Sequence, residues 1–299
     1  MLAIGTIAGG LLAWQRQAGE ETDVAAAPPA AAPPLSAPAR TPAQAPARPR
    51  AWPAIADEAP LDVQVERLLA SHDPADAYRA YWLVADCAAF NLNHDRIIFD
   101  REELEHPKPG TLPGFRTMTE DEKRHDATFC GALTERERQS RLDYLALAAK
   151  AGVPGAAFNF ANEGPFGDPS ALQTRPGDPL VQAWKATASA QLTRAAESGA
   201  DFSALQYLAD QYANGSALTD KNPLLAYRYL VAMNLINEEM IGPGDPMSIS
   251  LASQREGFAG MVQDYSAEQR AAELAAARHI ADLARAQREQ ARGQAAPGA

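Results

Sequence analysis

Downstream of residue 60 the apolar positions of this chain recur three and four residues apart, the spacing that lines one face of a helix. Asp73-Pro74-Ala75-Asp76 has the makings of a helix start: a carboxylate to cap the first amides, proline where an N–H is not needed, and an acid in the first turn. Tyr78, Tyr81, Trp82, Ala85, Ala89 and Leu92 follow in steps of three and four, so one face of this helix is predicted to be buried. Thr134 with Glu137 three residues on forms a capping-box pattern. The helix it opens runs through Leu142, Leu145, Ala148 and Ala149 to a stop at Gly152. Ser266 and Gln269 give the same start signal ahead of Leu274, Ala277, Ile280, Ala281 and Ala284, a narrow apolar stripe that predicts a capping helix over 266–292. Opposite the stripe stand Arg270, Glu273, Arg278, Arg285 and Arg288, whose mixed signs predict a solvated face and not a nucleic-acid surface. The tail 294–299 is expected to fray.

Sliding the chain against itself by 47 residues sets Leu145 on Leu192, Ala148 and Ala149 on Ala195 and Ala196, and Gly152 on Gly199. Ala157 then falls on Ala204, Phe158 on Leu205 and Phe160 on Tyr207. Each copy has the order helix, Ala-Ala-x-x-Gly turn, helix. Paired alanines let two antiparallel helices approach closely, and glycine takes the left-handed conformation between them. A partial third echo pairs Ala77-Tyr78-Arg79 with Ala226-Tyr227-Arg228.

The string Ala195-Ala196-Glu197-Ser198-Gly199, followed by Ala204-Leu205-Gln206-Tyr207-Leu208, Tyr212, Gly215, Asp220 and the helix from Ala226, resembles a Sel1-like repeat, a relative of the tetratricopeptide helix pairs. Leu142 to Phe166 resembles a degenerate earlier copy. Three departures stand out: the turn from Gly199 to Ala204 is one residue longer than the tightest form of the motif, the glycine pair after the second helix is reduced to Gly215, and Phe166 to Trp184 is an insertion. The resemblance spans residues 140–236. It implies an all-α fold, a short α-solenoid of antiparallel helix pairs whose concave face binds other proteins, with no catalytic residues to carry over. Trp184, Leu192, Leu205, Tyr207, Leu208 and Tyr212 suit either a binding groove or the core between repeats, and the core is expected, because stacked repeats must bury those positions.

Composition agrees with helix and separates off the first sixty residues. Alanine supplies 64 of the 299 residues, and Val/Ile runs are few, which disfavours a sandwich, a barrel or a doubly wound sheet. A net charge of −11 disfavours sequence-independent nucleic-acid binding. Residues 1–24 contain the apolar run Leu2 to Trp14, long enough for the core of an export signal or a signal anchor but short of the roughly 20 residues of a membrane span. Residues 25–60 hold 15 Ala and 10 Pro, with Arg40, Arg48 and Arg50 as the basic positions, and are predicted to form a disordered or polyproline-like spacer. At about 3.1 Å per residue such a spacer would reach on the order of 100 Å. Its Pro/Arg spacing also suits aromatic-lined grooves, a reading disfavoured for an exported chain.

The expected folded part is therefore 61–293, a helical repeat domain exported to the bacterial periplasm. It would be tethered to the inner membrane by residues 2–14 or released as a soluble form, and would touch the membrane through that segment alone. Cys87 and Cys130, an even count downstream of an export-like segment, predict one structural disulfide, with two buried thiols as the alternative. The residues between them, with turn signals at Pro107, Pro109 and Pro113, look poorly self-supporting. His94, Asp95, His106, His125 and Asp126 lack metal-ligand spacing, so no metal and no cofactor is expected. Glu197-Ser198 matches the general-acid string of lytic transglycosylases, which would make Glu197 a catalytic acid. The Gly-rich substrate motif that should follow is not found in residues 200–215, and the repeat turn explains the same residues. The function these features predict is a non-enzymatic module that binds another protein of the cell envelope.

Overall fold

The computed structural model describes residues 59–95, 97–99, 115–241 and 245–295. These belong to the second of two units into which the chain divides, 47–299, while the first, 1–46, lies outside the described residues. The apolar run 2–14 and nearly all of the Ala/Pro segment therefore also lie outside them.

Every helix start singled out above is formed by the chemistry that predicts it. The first helix, α1 (Leu61–Ala70), buries Leu61 and Val65. Asp73 caps α2 (Pro74–Asn93) by accepting from the Ala75 amide at 2.9 Å. A two-stranded antiparallel sheet follows, β1 (Ile97–Phe99) and β2 (Phe115–Thr117), in the register Ile97↔Thr117, Ile98↔Arg116, Phe99↔Phe115. Next come α3 (Glu120–Cys130) and α4 (Glu135–Ala151), opened by complete capping boxes at Thr119/Glu122 and Thr134/Glu137. Then α5 (Ala156–Glu163), a single 3₁₀ turn at Pro165–Gly167 and the short α6 (Ala171–Thr174) lead to α7 (Pro179–Glu197). The chain ends with α8 (Phe202–Asn214), α9 (Pro223–Ile241), α10 (Pro246–Gly260) and α11 (Ala267–Ala295). Ser266 and Gln269 exchange hydrogen bonds of 3.0 and 3.1 Å at the start of α11.

The described residues are thus overwhelmingly helical, and the small sheet is the departure from an all-α reading. Two further expectations change. The stretch between the cysteines, expected to be poorly self-supporting, contains a two-stranded sheet and a capped helix. The segment treated as an insertion, Phe166 to Trp184, already contains the first turn of α7. At the other end α11 continues two residues past Gly293.

Packing follows chain order: α1 lies on α2, α2 on α4, α4 on α5, α5 on α7, α7 on α8, α8 on α9, and α9 on both α10 and α11. The apolar interior falls into three clusters along this series. One, around Cys87, Phe90 and Cys130, joins α1, α2 and α3. A second joins α2, α4 and α5 through Tyr81, Leu145, Ala148, Ala149 and Ala156. The largest joins α5 and α7–α11 and includes Leu192, Leu205, Leu208, Tyr229, Ile236 and Ala277. The disulfide forms: Cys87 and Cys130 lie 5.0 Å apart at Cα and tie α2 to the end of α3.

The 47-residue echo corresponds to a structural one. Leu145 and Leu192 are both fully buried, as are Ala157 and Ala204, and Gly152 and Gly199 both take left-handed conformations, φ 78° and 73°. Ala148, Ala149 and Ala196 are buried, and Ala195 is partly buried against the same core. Leu192, Leu205 and Leu208 lie in that core, with Tyr207 and Tyr212 partly buried on it. The two turns are also joined directly. Asp201, buried to 3% exposure, caps α8 by accepting from the Ala204 amide at 3.0 Å, and its second oxygen accepts from the Gly155 amide of the other turn at 2.7 Å.

Candidate functional site

A groove of about 340 Å³ lies between α4, the end of α5 and α7. That lies within the roughly 300–1,000 Å³ of ordinary binding pockets. Gln139, Leu142, Asp143 and Ala146 of α4 form one side. Phe160, Glu163, Gly164 and Phe166 form the far side, and Trp184 of α7 closes it. The two sides are locked by Glu163. Its Oε1 accepts from the Tyr81 hydroxyl at 3.0 Å and from Arg141 Nε at 3.3 Å, and its Oε2 accepts from Arg141 Nη2 at 2.6 Å. Burial, and then the adjoining Glu163 carboxylate, push the Tyr81 hydroxyl well above its ordinary range, so it stays a donor.

Aromatic side chains dominate the wall. Phe160 and Trp184 stack at 5.3 Å between centroids. Phe166 stands half-exposed at 49% with φ 60°, ψ 21°, a left-handed conformation that costs a bulky residue roughly 1–2 kcal/mol. Gly164 makes the bend possible: at φ 72° it approaches Pro169 so closely that a Cβ would lie 2.4 Å from the proline Cα. Arg175 covers the Phe166 ring at 5.5 Å, a cation–π distance. Backbone strain of this kind is found more often at functional sites than elsewhere.

Of the residues named from the sequence, Leu142, Phe160, Phe166 and Trp184 line the groove, and those of the repeat turns are placed elsewhere. Ala148, Ala149, Gly152, Ala195, Ala196 and Gly199 form the turns and contacts of the helix pairs. Gly152 meets nothing within 4 Å, whereas a Cβ on Gly199 would lie 2.7 Å from the Ala284 amide nitrogen and the Ile280 carbonyl of α11. Trp184 lies partly in the core and partly on the groove. Glu197 is exposed at the end of α7 and accepts from Arg228 at 3.3 Å. A glycosidase acid sits in an apolar pocket that keeps its proton, and the surroundings of Glu197 are the reverse. Arg228 also donates to Glu273 at 2.6 Å, and Glu239 accepts from Arg285 and Arg288. The charged side of α11 is therefore an ion-paired seam against α9, and not simply solvated.

Among the described residues no cluster of His, Cys, Asp and Glu could hold a metal ion. His94 ends α2 in a left-handed conformation with its ring edge-on to Phe90, and His125 stacks on Phe129. Asp95 pairs with Lys123 at 2.9 Å, Asp126 is buried, and His106 lies outside the described residues. The groove itself escapes sequence reasoning. Pro165-Phe166-Gly167 between two glycine-bearing turns is its one local signal, and it says nothing about which helices will flank it. Set against protein-family models, curated proteins and solved structures, the chain matches none.

Proposed function

We propose that this chain is a non-enzymatic binding module of the bacterial cell envelope, a short α-solenoid of Sel1-like helix pairs that holds a segment of another protein in the groove between α4, α5 and α7. The observation that carries the reading is Phe166, a strained aromatic ring held half-exposed over a groove walled by Phe160 and Trp184. The chain-ordered packing of helices and the equivalent turns at Gly152 and Gly199 support the repeat architecture. A disulfide fits an oxidising compartment, in keeping with the periplasm. Among the described residues no helix is long and apolar enough to cross a membrane, so a tether would fall to residues 2–14.

The test places the photoreactive residue p-benzoylphenylalanine at position 139, on the groove, or at position 256, exposed on α10, in the full chain in living cells. Irradiation should shift the position-139 protein to a heavier adduct and leave the position-256 protein unshifted. Equal labelling at both, or none at 139, would remove the groove as a binding surface. Loss of cell-wall glycan turnover in a Glu197→Gln variant would instead favour the hydrolase reading.

A further inference from the structure

We infer that the occupant of this groove is a segment of a partner protein that carries an arginine, its guanidinium set between Asp143 and the aromatic wall. The inference rests on the groove being the binding surface.

It comes from an accounting of charge around the groove. Glu163 is neutralised where it stands by Arg141, and both side chains are largely buried, at 16% and 13% exposure. Arg175, over Phe166, has Asp178 at 3.9 Å. Asp143 is different. It is exposed on the groove side of α4, and the residues one turn away on either side, Gln139, Ser140, Ala146 and Leu147, carry no positive charge. Among the described residues no cation pairs with it. The groove therefore presents one uncompensated carboxylate beside three aromatic rings.

A carboxylate next to aromatic faces selects for a cation that can be hydrogen-bonded at its edge and stacked on its plane. Guanidinium does both, because it forms paired hydrogen bonds to a carboxylate and is weakly enough hydrated to lie on a ring. Lysine offers only a point charge. Arg175 over Phe166 shows a ring at this lip already holding a guanidinium. The remaining lining, Leu142 and Ala146 with the ring faces, suits apolar residues flanking that arginine.

The experiment uses the same photoreactive chain. The position-139 adduct is digested, and the linked peptide is sequenced by mass spectrometry. The expected peptide comes from another protein and carries an arginine within a few residues of the link. Asp143→Asn should reduce adduct yield by about tenfold, the size of one charge-assisted contact, and Asp143→Glu should restore most of it. Circular dichroism serves as the check that this exposed substitution leaves the helices intact. An adduct undiminished by Asp143→Asn, or linked peptides without arginine, would overturn the inference while leaving the groove as a binding surface. A link back to residues 48–50 of the same chain would overturn the partner as source. No adduct at position 139 at all would overturn both readings.

Discussion

Gly152 and Gly199 occupy equivalent turns and share a left-handed backbone, yet they carry different constraints. Replacement of Gly152 by alanine meets the backbone penalty alone, roughly 1–2 kcal/mol. At Gly199 the new methyl group would also collide with the backbone of α11, which cannot give way as a flexible side chain could. Gly199→Ala is therefore expected to cost at least about 1 kcal/mol more than Gly152→Ala in urea unfolding. Equal losses would mean that α11 does not press on this turn. Asp201 allows a second comparison. An asparagine usually caps a helix about as well as an aspartate, so Asp178→Asn at the start of α7 should be nearly silent. Asp201→Asn should cost about 1–3 kcal/mol, because only one oxygen remains for two amides and the other is left facing an N–H group. Chemical denaturation of the two variants separates an ordinary cap from a bridge between turns.

Among the elements, helices whose start signal runs straight into an apolar stripe were legible, whereas the starts of α3, α7 and α10, capped in the same ways, were not. Asp73-Pro74, Thr134/Glu137 and Ser266/Gln269 are local chemistry that acts within one turn, and each opens the helix it predicts. Thr119/Glu122 is the same capping box, but α3 buries only Asp126 and Cys130, so no apolar stripe draws attention to it. The groove was illegible for another reason: its sides come from α4, α5 and α7, and no periodicity within one helix reports which faces will meet. Helix α3 also has a pH signature. Arg116 donates to both oxygens of Glu122, at 2.8 and 2.7 Å. That pair, followed by the Thr119 amide, lowers the Glu122 carboxyl from 4.5 to about 2. The folded value lies below the unfolded one, so the contribution is present above pH 4.5 and is lost as the pH falls from there toward 2. The pair is substantially solvated, which keeps the effect under roughly 1 kcal/mol. Glu122→Gln should flatten the stability difference between about pH 6 and about pH 3. An unchanged slope would show that the pair adds nothing.

For the whole molecule, burial is unevenly shared. The cluster spanning α5 and α7–α11 is broad and apolar, whereas α3 is fastened chiefly by the Cys87–Cys130 bond and the Asn91 side chain, which donates to the Cys130 carbonyl at 2.9 Å. Reduction, or paired serine replacement, should cost about 3–4 kcal/mol in the chain-entropy account. Hydrogen exchange should then rise first over α3 and β2, while α8, α9 and α11 stay protected. Uniform acceleration across all helices would show instead that the bond supports the entire fold.

The dependence of Gly199 and α9 on α11 has a consequence for how the protein is made. Helix α9 packs closely on α11, which is synthesised after it, and both line the largest apolar cluster. At about 5–20 residues per second, the 29 residues of α11 take on the order of 2–6 seconds to synthesise. Until they arrive, the largest cluster has an open side. A newborn chain is therefore open to sticking and to proteolysis over α9 until α11 has emerged, and a premature stop near Ser266 would prolong that interval indefinitely.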